Sequence, residues 1–154
     1  MYYFLKKDFE ALSAEIEKAA DKIKAAGQEM GKSCNEGAET FHDNFAYEDG
    51  YRLQQMWSER IRQLIRIRNQ ARVILDSPKG EKVSLGCVVT VEDEHTKEIR
   101  TIKIGSYMVL AEQGGETISY NAPLARMLLG GKIGDTREAV IAGKKKSFHI
   151  LKIE

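Results

Sequence analysis

The sequence predicts an α+β protein in two parts: a long antiparallel hairpin of two helices, then a small antiparallel sheet with one short helix. Three observations carry this. Two heptad seams precede residue 76 and match each other in reverse order. Neither seam contains proline. After "DSPKG" (76–80) the hydrophobic period changes from 3.5 to 2.

The first seam runs Phe9, Leu12, Ile16, Ala19, Ile23, Ala26, Met30, with spacings alternating three and four. The second runs Tyr47, Gly50, Gln54, Trp57, Ile61, Leu64, Arg68, Ala71, Leu75, with Gly50, Gln54 and Arg68 as blemishes. Set antiparallel, they place Phe9 opposite Leu75, Ile23 opposite Ile61, Ala26 opposite Trp57 and Met30 opposite Gln54. The turn then falls near residues 40–43. Each arm is roughly 30 residues, or about 45 Å long at 1.5 Å per residue. A hairpin of that length buries one seam and reads as a projecting arm. Residues 1–77 are assigned to it, and 78–154 to the second domain.

The second domain reads element by element. "KVSLGCVVTVED" and "EIRTIKIG" alternate and are β-branched, and "GETISY" and "SFHILKI" read as further strands. "TREAVIAG" leads into a Gly-Lys hairpin turn, with "KKK" (144–146) as its solvated residues. "NAPLARMLLGGKIGD" holds a short helix, with Pro123 near its first turn, an apolar face of Leu124, Met127 and Leu128, and a Gly130-Gly131 stop.

Composition excludes several functions. Net charge is +1 over 154 residues, so electrostatic work must come from local patches. The two cysteines, Cys34 and Cys87, are far apart and form no CxxC, which argues against a disulfide scaffold or zinc site. No stretch reaches transmembrane length, and the N-terminal apolar run is too short for a signal peptide. The expectation is a soluble cytoplasmic protein. No nucleophile elbow, phosphate loop or HExxH is present; the glycines of "GGKIGD" are loop glycines. His42, His95 and His149 are scattered, and His149 falls inside a strand.

Two features of the arm admit two readings each. Arg60, Arg62, Arg66, Arg68 and Arg72 spread over a broad helix face. They are either a solvated surface paired with Glu10, Glu15, Glu17 and Asp21, or a basic stripe that meets phosphates or an acidic groove. At the expected turn, "AETFHDNFAYEDGY" (38–51) carries Glu39, Asp43, Glu48 and Asp49 and no cation. Asp43 fits a helix cap, and Glu48 and Asp49 fit the favourable end of the helix dipole. Alternatively, carboxylates at the end of a long arm deliver oxygen ligands to Mg²⁺, whose sites are completed by one or two carboxylates plus phosphates.

The whole chain resembles the bacterial Gre transcript-cleavage factors, the GreA/GreB family. "SYNAPLARMLLGGKIGD" (119–135) follows that family's signature at Ser119, Pro123, Leu124, Ala125, Leu128, Leu129, Gly134 and Asp135, with Ala122 where serine is usual and Met127 where a small residue is. "DNFAYEDGYRLQQ" resembles its Glu-Asn-x-x-Tyr segment at Asp43, Asn44 and Tyr47. The resemblance implies an FKBP-like second domain that docks on RNA polymerase through Ser119, Ala122, Pro123, Leu124 and Arg126. It implies a coiled coil that enters the secondary channel, where tip carboxylates help hold a Mg²⁺ shared with the polymerase. The polymerase itself then cleaves backtracked RNA, so the protein meets the RNA 3′ end only indirectly, is not an enzyme and binds no cofactor tightly. It would act as a monomer with no membrane partner. Aligned without a gap from Asn44, Thr40 takes the first acid's place; with one extra turn residue, Glu39 takes it and Asp43 the second. The alternatives are a channel binder that modulates polymerase without stimulating cleavage, and an FKBP-like prolyl isomerase with a coiled-coil appendage.

Overall fold

In a computed structural model of the chain, the described residues are 1–36, 45–75, 80–111 and 114–154. They form two compact units: Glu10–Gln70, and Met1–Phe9 together with Ala71–Glu154.

The first unit is the hairpin. Helix α1 spans Lys6–Glu36 and α2 spans Phe45–Asn69. Of the first seam, Leu12, Ala19 and Ala26 are buried, and of the second, Gly50 and Leu64. Gly50 is no blemish. A Cβ there would lie 2.5 Å from Met30 Cγ and 3.4 Å from the Ala26 carbonyl oxygen, so the missing side chain is what lets the helices approach. Gly50 thus lies against Met30, where the reversed seams put Gln54. The Gln54 amide instead comes within 3.5 Å of the Cβ position of Gly27.

The N- and C-terminal ends of the expected arm require correction. Strand β1, Tyr2–Leu5, precedes α1, and strand β2, Ala71–Ile74, follows α2. The two pair in parallel, Tyr2 with Ala71 through Leu5 with Ile74. Residues 1–5 and 71–75 therefore belong to the sheet unit, and the boundary is not at residue 77. Ala71 and Leu75 continue the heptad by coincidence. "YYFL" and "ARVI" are rich in the aromatic and β-branched residues that suit a pleated surface, and their mutual pairing overrides the helical period.

A five-stranded sheet follows. β3 (Val88–Asp93), β4 (Ile99–Gly105), β5 (Glu116–Ser119), β6 (Thr136–Ile141) and β7 (Lys144–Ile153) lie in the order β5-β4-β3-β7-β6. All neighbours are antiparallel except β4 and β5, which run parallel, so the sheet is mixed rather than wholly antiparallel. Helix α3, Pro123–Leu128, packs Ala125 and Leu128 onto a core of Val89, Val91, Ile102, Ile104, Phe148 and Ile150. The second glycine after α3 is a packing requirement. A Cβ on Gly131 would meet Ile150 Cδ1 at 2.5 Å and the Leu128 carbonyl oxygen at 2.9 Å. The three lysines 144–146 belong to β7, and the turn before them is Ala142-Gly143, with φ of 51° and 75°.

One polar network ties α1's first turn into this unit. Asp8 is fully buried. Its Oδ2 accepts from Ser106 Oγ at 2.5 Å, and its Oδ1 accepts from the Leu110 and Ala111 amides, each at 3.0 Å. Ser106 Oγ in turn accepts from the Leu5 amide at 2.8 Å.

Candidate functional site

The segment 119–129 is built by a turn and a short helix. The Ser119 hydroxyl donates to the Tyr107 carbonyl at 3.0 Å, and the Ala122 amide donates to the Ser119 carbonyl at 2.9 Å. Ala122 is the N-cap of α3 and makes no side-chain cap bond. Pro123 at the first helical position needs no amide partner and has its φ preset. Pro123 and Arg126 are exposed, while Ala122 and Leu124 are half-buried against the core. The Arg126 guanidinium donates from Nε to Asn121 Oδ1 at 3.0 Å, and from a second nitrogen to the same oxygen. The structure therefore brings Ser119, Ala122, Pro123, Leu124 and Arg126 onto one short stretch, held from beneath by Ala125 and Leu128.

The Gly134-Asp135 end of the same motif is a turn device. Gly134 has a φ of 90°. Asp135 Oδ2 accepts the Lys132 amide at 2.9 Å, which holds its carboxyl below the ordinary aspartate range, with Arg137 adding to the effect. Asp93 behaves alike. It accepts the His95 and Thr96 amides at 2.9 and 3.2 Å, and the first of these is the main cause of its lowered pKa. Both carboxylates, like Asp8, serve loops.

On the arm, Arg60, Arg62, Arg66 and Arg68 lie on α2 and are exposed. Arg62 pairs with Glu59 of its own helix at 2.8 Å, and Arg66 and Arg68 stand in the last turn, where the helix dipole favours cations. On α1, Glu15 pairs with Lys18 at 3.0 Å. These ion pairs run along each helix, one turn apart. Arg72 is not on the arm; it is an exposed residue of β2 opposite Tyr3. The start of α2 is strongly apolar at its surface, with Phe45, Tyr51 and Met56 all more than half exposed. Glu39 and Asp43 lie outside the described residues. Among the described residues, no group of three or more His, Cys, Asp or Glu side chains is placed to hold a metal ion. No helix among them is long and apolar enough to cross a membrane.

Sequence reasoning missed an aromatic cluster. To Tyr107, Tyr120 and Phe148 of the second domain, β1 adds Tyr2, Tyr3 and Phe4. The Tyr2 and Tyr107 rings lie 4.2 Å apart, and those of Tyr3 and Tyr120 meet edge to face at 6.0 Å. Beside them is a pocket of about 240 Å³ walled by Tyr3, Ile74, Leu85, Tyr120 and Leu129.

Comparison with known proteins bears on the same segment. Residues 77–154 match the family described as "Transcription elongation factor, GreA/GreB, C-term". The transcription elongation factor GreA of Paracoccus denitrificans is 33% identical over 112 residues, which cover 72% of this chain and 70% of that protein. GreA of Thermotoga neapolitana is 26% identical over 148 residues, covering 96% and 94%. Among solved structures, GreA factor homolog 1 (Gfh1) of Thermus thermophilus aligns over 99% of this chain and 97% of that one, at 22% identity and a TM-score of 0.44.

Proposed function

Because the chain belongs to the GreA/GreB family of transcription elongation factors, we propose that it acts on RNA polymerase from the secondary channel and stimulates the polymerase's own cleavage of backtracked RNA. The observation that supports this best is the family match over residues 77–154, which contains the 119–129 segment with its exposed Asn121, Pro123 and Arg126. In this reading Ser119, Ala122, Pro123, Leu124 and Arg126 form the docking segment. The helical hairpin is the part that enters the channel.

Glu39 and Asp43 would act together at the hairpin turn. Two carboxylates suit Mg²⁺, which takes hard oxygen ligands and completes its shell with phosphates and waters. They do not amount to a cage, so tight binding of the ion by the isolated protein is not expected. When held between the two proteins, the ion supplies charge stabilisation for phosphodiester hydrolysis. This chain's share is to bring two carboxylate oxygens to the site and hold them there. The exposed Arg60, Arg62, Arg66 and Arg68 would favour entry into a phosphate-rich channel.

The test is RNA cleavage in stalled elongation complexes with wild type, Asp43→Asn and Glu39→Gln. Asparagine caps a helix as well as aspartate does, so Asp43→Asn separates a capping role from a ligand role. The expected result is cleavage by wild type and a sharp loss with Asp43→Asn at unchanged polymerase affinity. Full activity of Asp43→Asn refutes the ligand role. A second reading rests on Thr40, which stands in the first acid's place in the ungapped register. Wild type that competes with a cleaving relative but stimulates no cleavage would establish this reading, a channel-occupying modulator.

A further inference from the structure

We infer that α2 carries a second packing face, separate from the seam that meets α1, and that this face binds a second copy of the chain in antiparallel fashion. At about 100° per residue, Phe45, Asp49, Leu53, Met56, Arg60 and Gln63 fall in one exposed stripe beside the buried Gly50 and Leu64. They recur every three or four residues, the period of a helix-packing face. Phe45 is 75% exposed, Met56 52% and Leu53 40%, so α1 leaves all three largely uncovered. Large apolar side chains grouped in this way mark a contact surface.

The stripe is complementary to itself. Its acid, Asp49, lies near the start of α2, and its cation, Arg60, three turns later. Among the described residues no ion pair engages either one. With a second copy laid antiparallel about a twofold axis beside Gln54 and Gln55, Asp49 of each copy meets Arg60 of the other. Leu53 then meets Met56, and Phe45 lies over Gln63. A twofold interface repeats every contact, so each of these pairs forms twice. Charge also fixes the register. Sliding one copy three residues one way sets Arg52 against Arg60, and four residues the other way sets Asp49 against Met56.

Shape agrees with charge. On the same flank, an opening of about 360 Å³ lies between the helices, walled by Ala25, Ala26, Asp49, Gly50, Leu53 and Trp57. It exists because three of these residues are alanine or glycine. Met56 of one copy stands opposite Leu53 of the other and enters this opening as a knob enters a hole. Methionine is unbranched and fills irregular gaps well. Contact through one helix face is small, so the association is weak and reversible, and it replaces the monomer expected from the sequence at high concentration. The inference does not rest on the polymerase reading, and its test contains no polymerase.

Sedimentation equilibrium of the full-length chain, at concentrations up to about 1 mM, tests it. The wild-type mass should rise with concentration from monomer to dimer. Asp49→Arg sets two cations opposite each other in both ion pairs, and Arg60→Asp sets two acids opposite. Each should weaken dimerisation about tenfold or more, since two pairs are turned repulsive at once. The double variant Asp49→Arg with Arg60→Asp restores both pairs with their polarity reversed. It should return dimerisation to within about threefold of wild type, a recovery that misfolding cannot produce. All the substituted side chains are exposed. A wild type that stays monomeric throughout overturns the proposal. So does a dimer indifferent to both single variants, or a double variant no better than the singles.

Discussion

Replacing Asp8 by alanine removes the acceptor of three hydrogen bonds at once. The Ser106 hydroxyl is fully buried and loses its only carboxylate partner, at about 1–3 kcal/mol for an orphaned buried donor. The Leu110 and Ala111 amides are part-buried and recover some solvation, so each costs about 0.5–1 kcal/mol. Relief from burying the carboxylate offsets part of the total. The net expectation for Asp8→Ala is about 2–4 kcal/mol of destabilisation in the sheet unit, a melting shift of about 10–25 °C for a unit of this size. Asp8→Asn keeps the two amide acceptors but points an NH₂ at Ser106 Oγ, which already accepts from Leu5, and should cost about 1–2 kcal/mol. Near-UV circular dichroism in a urea titration reads this well, because the Tyr2–Tyr107 pair sits in the same unit. A double-mutant cycle with Ser106→Ala should give a coupling above about 1 kcal/mol. An Asp8→Ala cost below that figure, or additivity with Ser106→Ala, would show the network to be energetically idle.

Gly50→Ala pits helix propensity, about 1 kcal/mol in alanine's favour, against a Cβ 2.5 Å from Met30 Cγ. It should be neutral or destabilising in the wild type and stabilising by about 1 kcal/mol in a Met30→Ala background; chemical denaturation of the pair reads the sign, and equal effects in both backgrounds would refute the close contact. Ala142→Asn should stabilise by about 0.5–1 kcal/mol, because Ala142 pays for a left-handed φ of 51° in a turn that Asn-Gly favours; a thermal melt decides it. The Lys132 amide holds the folded Asp135 pKa below its unfolded value, so the carboxylate is stabilising above the unfolded value and this contribution is lost as pH falls through the folded one. Asp135→Asn should therefore flatten the loss of stability below about pH 4, and an unchanged acid limb would place that dependence on other groups.

Most of the sheet unit was legible because alternation is local. Val89, Val91, Ile102 and Ile104 announce their strands without reference to anything distant, and Pro123 with Gly130-Gly131 brackets α3. The misreadings share a cause. β1 and β2 exist through each other, and a four-residue strand next to a long heptad pattern leaves no local mark. Asp8 has no local mark of its role, since the loop that buries it lies about a hundred positions away. Gly50 read as a flaw because a seam scored on hydrophobicity cannot register the value of a missing side chain. Arg72 was carried onto the arm by the same extended heptad. Of the candidate site, the 119–129 segment was legible as a motif, whereas the pocket beside Tyr120 draws its walls from residues far apart in the sequence.

That division has a bearing on the order of events during synthesis. Tyr2–Leu5 leaves the ribosome before the residues it pairs with: its strand partner ends at Ile74 and the hydroxyl that bonds Leu5 belongs to Ser106. The hairpin, Glu10–Gln70, can form from its own contacts as soon as it has emerged. The N-terminal aromatics must wait, exposed, until the strands after residue 80 are made. A unit closed over so long a loop is expected to fold slowly for its size. Through that interval "YYFL" is an unpaired apolar strand of a nascent chain, the segment where holdase chaperones would be expected to bind and where association between nascent copies would begin.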